Sequence, residues 1–201
     1  MAVLVFAEAT DRKYKKIALE AISYGKQLAD KLGSQLIALT MNADAPEELG
    51  AYGAQKIIQV QQENAGNFNA KITASIIQQV ATKENVSVIV MDASSNGLYA
   101  APIVAASLEA GYASNVVALP SSTTPFVVKR KAFSNKAFTA TEMTTAIKVI
   151  GLAKNSFGVF ENNTEATVEE FSPEAVVSGV ESVSVNKASG TITIADADTV
   201  V

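Results

Sequence analysis

The chain has 201 residues, of which 48% are hydrophobic and 18% charged, so it is long and apolar enough to fold around a core. Its net charge of −4 argues against a nucleic-acid partner, and no apolar run reaches the roughly 20 residues of a membrane span. The absence of His and Cys excludes nucleophilic catalysis by either residue, thiol redox chemistry and structural zinc.

The missing residue types also bear on the expected role. Histidine is the side chain that titrates near neutral pH without help, so a catalyst made from this chain would depend on carboxylates, Lys, Tyr or Ser. We therefore predict a binding or scaffold role, with no catalytic residue and no metal site. The amino terminus enters an apolar stretch without a basic region before it, which predicts no signal peptide and a cytoplasmic location.

Strand and helix patterns alternate over residues 1–120. Apolar runs of strand length predict strands at residues 1–7, 34–40, 56–60, 87–91 and 115–119. Apolar residues at helical spacing predict helices at 14–32, 46–52, 68–83 and 97–108, the last capped by Asn96. Alternating strands and helices with largely apolar strands predict an α/β fold. Its core is a doubly wound parallel sheet.

The pattern changes after Pro120. Residues 126–133 and 137–141 flank a short polar loop and predict a hairpin, and residues 146–152 predict a third strand. We expect these strands to form an antiparallel β appendage at about 125–157, within a front domain that covers residues 1–160.

The carboxyl-terminal part is expected to lie outside the front domain. Residues 161–195 are predicted to form an acidic, Ser/Thr-rich linker over 161–181, followed by a second hairpin of two short strands. The last residues alternate acidic and small side chains and then enter Thr-Val-Val. By composition they are either a frayed end or a buried strand that lacks its partners.

One edge of the predicted sheet carries candidate binding residues. In an open parallel sheet, ligands bind at the carboxyl ends of the strands, where the strand order switches. Here Glu8 follows the first strand and Asp92 follows the fourth, and the polar residues Ser94, Ser95, Asn96 and Gly97 come next. Small polar residues before a helix place N–H groups around a phosphate, and the two carboxylates are able to hold ribose hydroxyls.

Other interpretations of this edge stay open. No Gly-x-Gly-x-x-Gly follows the first strand and no Walker sequence is present, so helix capping and a solvated loop explain the same residues. Glu8 and Asp92 also form a possible pair for acid–base chemistry, although acidic residues commonly end strands and stay solvated.

Several segments resemble, in the same order, the alpha subunit of electron transfer flavoproteins. Tyr52-Gly53-Ala54-Gln55-Lys56 is similar to the family's Tyr-Gly-Ala-Asp-Lys before an apolar strand. The other segments that carry the resemblance are 3–8, 96–106, 133–140 and 148–157. Residues 196–201 look like the first strand of the family's FAD-binding domain, whose Ser-Gly-Gly-Arg-Gly would lie beyond Val201.

The resemblance implies a function. The family forms a heterodimer of alpha and beta subunits that takes electrons from acyl-CoA dehydrogenases, in fatty acid oxidation, and passes them through FAD to a respiratory or other acceptor. It implies that this chain is the scaffold and interaction domain of the alpha subunit, with a doubly wound sheet that is Rossmann-like and of the adenine-nucleotide-binding type. FAD would be bound in the intact heterodimer and not by this chain alone, and no FAD ligand is assigned here.

Three positions depart from the family pattern. Relatives usually carry a basic residue at position 98 and an acidic or small one at 99, and they often carry an Arg at 103. This chain has Leu98, Tyr99 and Ile103 at these positions, which predicts a more apolar surface. The alternative function is a freestanding nucleotide-binding module of the universal-stress-protein type, which would bind ATP or AMP at Glu8 and Asp92. A small enzyme that uses the same edge is a third possibility.

Overall fold

The structure, a computed structural model, describes residues 2–61, 68–180 and 183–184. Within these ranges the strands are β1 (Ala2–Phe6), β2 (Ala9–Thr10), β3 (Lys13–Tyr14), β4 (Gln35–Met41), β5 (Lys56–Val60), β6 (Val86–Asp92), β7 (Gly111–Val116), β8 (Ser122–Thr123), β9 (Phe126–Ala132), β10 (Ala137–Glu142), β11 (Lys148–Leu152) and β12 (Thr167–Glu170). The helices are α1 (Lys16–Leu32), α2 (Ala70–Lys83) and α3 (Ser95–Ser107), and a 3-10 helix spans Pro46–Ala51. No helix in these ranges has the length and apolar character that crossing a membrane requires.

The strands form one large sheet in the order β10-β9-β7-β11-β6-β1-β4-β5-β12, with β8 paired to β9. Its central pairs are parallel, and β2 and β3 form a separate hairpin. Strands β4 and β5 follow one another on one side of β1. The chain then crosses through α2 to β6, which lies on the other side of β1. The predicted doubly wound α/β fold is confirmed, and its strand order switches between β1 and β6.

Both faces of the central strands are buried, because successive side chains of a strand point to opposite faces. On β1, Val3 and Val5 belong to a core cluster that includes buried residues of α1. Leu4 and Phe6 belong to a second cluster that includes buried residues of α2 and α3. One helix therefore covers one face of the sheet and two helices cover the other.

Helix α1 approaches β1 closely at a glycine. A Cβ atom on Gly25 would lie 2.3 Å from Cγ2 of Val5 and 3.1 Å from Cδ1 of Leu36. The helix ends at Gly33, as predicted, where φ is 60° and the backbone N–H bonds to the carbonyl oxygens of Ala29 and Asp30.

The predicted antiparallel appendage is partly wrong. Strands β9 and β10 form the expected antiparallel hairpin, and it extends one edge of the main sheet. The third predicted strand, β11, instead lies between β6 and β7 and is parallel to both. Its residues Val149, Ile150 and Leu152 are buried, and a strand that is apolar on both faces is covered only inside the sheet.

Other element boundaries also differ from the predictions. The fifth predicted strand, 115–119, is β7 at Gly111–Val116, because the chain enters this strand soon after α3 ends. The predicted helix 46–52 is a 3-10 helix, with Pro46 in its first turn. Helix α2 begins at Ala70, where the side chain of Asn69 accepts hydrogen bonds from the N–H groups of Lys71 and Ile72.

The predicted linker at 161–181 contains a strand. β12 pairs in parallel with β5 and closes that edge of the sheet, and the Phe171 N–H continues the pairing with a 2.8 Å bond to the Gln59 carbonyl. All four side chains of β12 are exposed, so no apolar pattern reveals this strand. Apart from 183 and 184, residues 181–201 lie outside the described residues, and the second hairpin and the terminal strand stay predictions.

Replacing Gly25 with Ala tests the packing of α1 on β1. We expect Gly25→Ala to lower the free energy of unfolding by about 1–3 kcal/mol, because the new methyl group overlaps Val5. Urea unfolding followed by circular dichroism measures the change. Gln27→Ala, on the exposed side of the same helix, is the matched control and should leave the unfolding midpoint nearly unchanged. Equal stability of the Gly25→Ala variant and the wild type would contradict the close approach.

Candidate functional site

The predicted edge residues come together at the point where the strand order switches. Glu8 follows β1 and Asp92 ends β6, and these two strands are direct neighbours. Helix α3 begins at the same edge, so its first turn faces both carboxylates. We call Glu8, Asp92 and residues 94–97 the rim.

The first turn of α3 is capped by Ser94, not by Asn96 as predicted. The Ser94 hydroxyl accepts a 3.0 Å hydrogen bond from the Gly97 N–H, and the helix starts two residues earlier than expected. Gly97 itself lies against the end of β6. A Cβ atom at this position would be 2.0 Å from the Asp92 carbonyl oxygen, so only glycine fits here.

Both oxygens of the Glu8 carboxylate accept hydrogen bonds from other rim residues. One of its oxygens accepts a hydrogen bond from the Asn96 side-chain amide, and the other accepts a 3.3 Å bond from the Ser94 hydroxyl. A carboxylate near a helix amino terminus is favoured by the positive end of the helix dipole. The negative charge of Glu8 beside the first turn of α3 opposes a bound anion.

Asp92 is buried and only partly hydrogen-bonded. Its residue surface is 4% exposed, and its Oδ1 atom accepts a 2.9 Å bond from the Ser94 N–H. The Oδ2 atom has no hydrogen-bond partner among the described residues. Burial raises the pKa of the Asp92 carboxyl, and the nearby charge of Glu20 acts in the same direction while Lys15 opposes it.

The pKa of Glu8 is also raised. Burial is the largest cause, and the negative charge of Asp92 adds to it, while the hydrogen bonds from Asn96 and Ser94 and the charge of Lys15 act against it. Two carboxylates with raised pKa values at one edge are a pattern seen at functional sites, although ordinary burial produces the same shift.

Sequence reasoning missed a third buried carboxylate near the rim. Glu20 of α1 is 1% exposed and accepts hydrogen bonds of 2.9, 2.7 and 2.9 Å from the N–H groups of Asn155, Phe157 and Gly158. These bonds fasten the loop after β11 to α1. An acidic residue on the apolar side of the α1 pattern is the one signal that points to this role.

The rim is held together by hydrogen bonds among its own residues. Two surface clefts of the described structure lie elsewhere, one between α2 and residues 171–176 and one beside the β2–β3 hairpin. The described residues contain no group of acidic side chains suited to a metal ion. The FAD phosphates do not fit this edge either, because the first turn of α3 is capped by Ser94 and faces the Glu8 carboxylate.

Comparison with known proteins decides the family. A family model described as electron transfer flavoprotein domain matches residues 3–176, which is nearly all of the fold described above. The chain belongs to the electron transfer flavoprotein family. Members of this family are electron carriers rather than catalytic enzymes.

Individual relatives agree with this assignment. The chain is 28% identical over 120 residues to the electron transfer flavoprotein subunit alpha of Clostridium acetobutylicum, a match that covers 58% of this chain and 36% of that protein. It is 28% identical over 111 residues to protein FixB of Clostridium saccharobutylicum, covering 54% and 33%. It is 31% identical over 112 residues to the acryloyl-CoA reductase electron transfer subunit beta of Anaerotignum propionicum, covering 54% and 30%.

These matches confirm the resemblance that the sequence motifs predict. They cover about a third of the length of each relative, at 36%, 33% and 30%. The activity and partners of the whole protein are therefore matters for proposal.

The orphaned carboxylate oxygen of Asp92 leads to a prediction about pH. A carboxyl whose pKa is raised in the folded chain binds its proton more tightly there than in the unfolded chain. Its contribution to stability is therefore lost as the pH rises from the ordinary aspartate range through the raised value. We expect Asp92→Asn to reduce this loss and to be at least as stable as the wild type at pH 7. Urea unfolding across pH 4–8 measures both.

The control for this experiment is Asp44→Asn, which removes an exposed carboxylate paired with Arg12. Its curve of unfolding free energy against pH should follow the wild-type curve closely. If the curve for Asp92→Asn also runs parallel to the wild type, Asp92 does not titrate with a raised pKa.

Replacing Glu20 tests the attachment of the loop after β11. We expect Glu20→Gln to lower the free energy of unfolding by about 2–3 kcal/mol, since the amide keeps one acceptor oxygen for three N–H donors. Chemical unfolding measures the change, with the exposed Glu48→Gln as the matched control. Hydrogen exchange of the amides at Asn155, Phe157 and Gly158 should become faster in Glu20→Gln alone, and most at Asn155 because the Gln carbonyl oxygen is able to keep the two bonds that share one oxygen. Unchanged exchange would show that other contacts hold this loop.

Proposed function

We propose that this chain is the amino-terminal scaffold and interaction domain of an electron transfer flavoprotein alpha subunit. The observation that carries the proposal is the family match over residues 3–176, which coincides with a complete doubly wound sheet. In this function the domain binds a beta subunit, and the pair with FAD carries electrons from a dehydrogenase to an acceptor. The dehydrogenases proposed are those that oxidise acyl-CoA substrates.

The geometry of the rim supports a scaffold role over a catalytic one. Glu8, Ser94 and Asn96 bond to one another, so their polar atoms stabilise the junction of β1, β6 and α3. Gly97 packs directly on the end of β6, where a Cβ atom would lie 2.0 Å from the Asp92 carbonyl oxygen. FAD is therefore proposed to be held by other parts of the intact protein, and this chain alone is proposed to be colourless.

A second candidate function rests on the same rim. Glu8 and Asp92 do converge at the switch in strand order, which is where nucleotide-binding sheets of this type place their ligand. This observation is what favours a freestanding nucleotide-binding module of the universal-stress-protein type. The internal hydrogen bonds and the negative charge at the first turn of α3 weigh against it.

Co-purification with a beta subunit tests the proposed function. We expect the chain to form a complex of one copy each with the electron transfer flavoprotein beta subunit of the same organism, since the family match covers residues 3–176. Size-exclusion chromatography with light scattering gives the stoichiometry. A protein of the same fold class from an unrelated family is the control partner. Failure to bind the beta subunit would contradict the proposed function.

Calorimetry separates the two candidates. We expect no heat of binding when ATP or AMP is titrated into the isolated chain at micromolar concentrations. The reason is that the Glu8 carboxylate is already hydrogen-bonded to Ser94 and Asn96. Micromolar affinity that is lost in Asp92→Ala would instead support the nucleotide-binding module.

A further inference from the structure

The chain leaves the edge of the sheet after β12 and crosses the outside of α2. The N–H groups of Thr167 and Phe171 both donate to carbonyl oxygens on the β5 side, because alternate N–H groups of a strand point to the same neighbour. Residue 173 would donate the next bond, but it is a proline and has no N–H. Residues 171–177, which we call the strap, therefore leave the sheet and form neither helix nor strand.

Gln79 of α2 holds the middle of the strap through its side-chain amide. Its Oε1 atom accepts a 2.8 Å hydrogen bond from the Glu174 N–H, and its Nε2 atom donates a 3.2 Å bond to the Glu174 carbonyl oxygen. One side chain thus makes both bonds that the opposite residue of an antiparallel strand would make. Both bonds involve the backbone of Glu174, and its side chain stays exposed.

Two lysines of α2 contact the ends of the strap. At the carboxyl end of the helix, the Lys83 Nζ atom lies 5.1 Å from the centroid of the Phe171 ring. Near the amino end of the helix, the Lys71 Nζ atom donates a 3.0 Å hydrogen bond to the Val177 carbonyl oxygen. The strap therefore runs antiparallel to α2 over nearly the whole length of the helix.

The strap buries little apolar surface beyond its first residue. Phe171 packs against the core cluster that includes α2, whereas Ala175 is exposed and Val177 is 85% exposed. A cleft separates part of the strap from the helix. Apolar burial is the main source of stability, and a surface hydrogen bond adds only a modest amount. A segment with few buried contacts opens more easily than the core does.

We propose that the strap is a releasable clasp, which the Gln79 amide holds on α2 and which detaches from the helix while the sheet stays folded. Phe171 is the hinge of this movement, because its N–H bond to Gln59 and its packing against the core belong to the edge of the sheet. The residues after it are held mainly by side chains of α2.

The position of the clasp gives it a consequence for the intact protein. The family match ends at residue 176, so the clasp lies at the boundary of the matched region. In the proposed alpha subunit, the clasp sets whether the chain beyond residue 177 starts at the amino end of α2 or swings from the edge of the sheet at β12. This consequence rests on the proposed function, whereas the clasp itself does not.

Limited proteolysis of the purified chain tests the clasp. A glutamate-specific protease cuts after Glu174 when the strap is detached, and the rate follows the detached population if opening and closing are fast compared with cleavage. We expect Gln79→Ala to speed this cut at least about threefold, because it removes both hydrogen bonds to the Glu174 backbone. Mass spectrometry of the products gives the rate at each site.

Two controls accompany this experiment. Gln78→Ala changes the neighbouring residue of the same type, which lines the same cleft without bonding to the strap, and should leave the cut after Glu174 at the wild-type rate. The cut after Glu170 should stay equally slow in all variants, since β12 remains paired with β5. The urea unfolding midpoint of Gln79→Ala should be close to that of the wild type.

Three results would overturn the proposal. An unchanged cut after Glu174 in Gln79→Ala would show that other contacts hold the strap. Equal acceleration in Gln78→Ala would show that the amide pairing is not the hold. A lower urea midpoint together with faster cuts at both Glu170 and Glu174 would show that the strap opens only when the sheet does. None of these results involves a beta subunit, so the clasp and the proposed function are tested separately.

Discussion

The burial of β1 on both faces is the constraint on which this structure depends. All five of its residues are buried, with Val3 and Val5 packed on one side and Leu4 and Phe6 on the other. Such a strand is stable only between two helical layers. The layers require that the chain cross from one side of β1 to the other, and this crossing brings the carboxyl ends of β1 and β6 together. The rim is a consequence of how the core is covered.

The rim is stabilised by hydrogen bonds among its own residues. Sheets of this type place ligands at the switch in strand order. Here Glu8 bonds to Ser94 and Asn96 at the same position, and Gly97 packs directly on the end of β6. The junction therefore joins β1, β6 and α3 into a rigid unit. This arrangement agrees with the scaffold role proposed for this chain.

Helix α3 is anchored by its buried side and has an apolar exposed side. Its buried side chains are part of the same core cluster as Leu4 and Phe6 of β1, so the helix is held firmly in place. Its other side carries Tyr99 and Ile103 into solvent.

The sequence by itself determined the elements whose pattern is local. The helical spacing in α1 and α2, the glycine that ends α1, and the apolar runs of β1, β4 and β6 each lie within a short stretch, and Glu8 and Asp92 followed from the ends of those runs. Only the tertiary structure decided the place of β11 inside the sheet, the pairing of β12 with β5, and the role of Glu20. These depend on contacts between distant parts of the chain, such as the bond from Phe157 to Glu20 across 137 residues, and no local pattern records them.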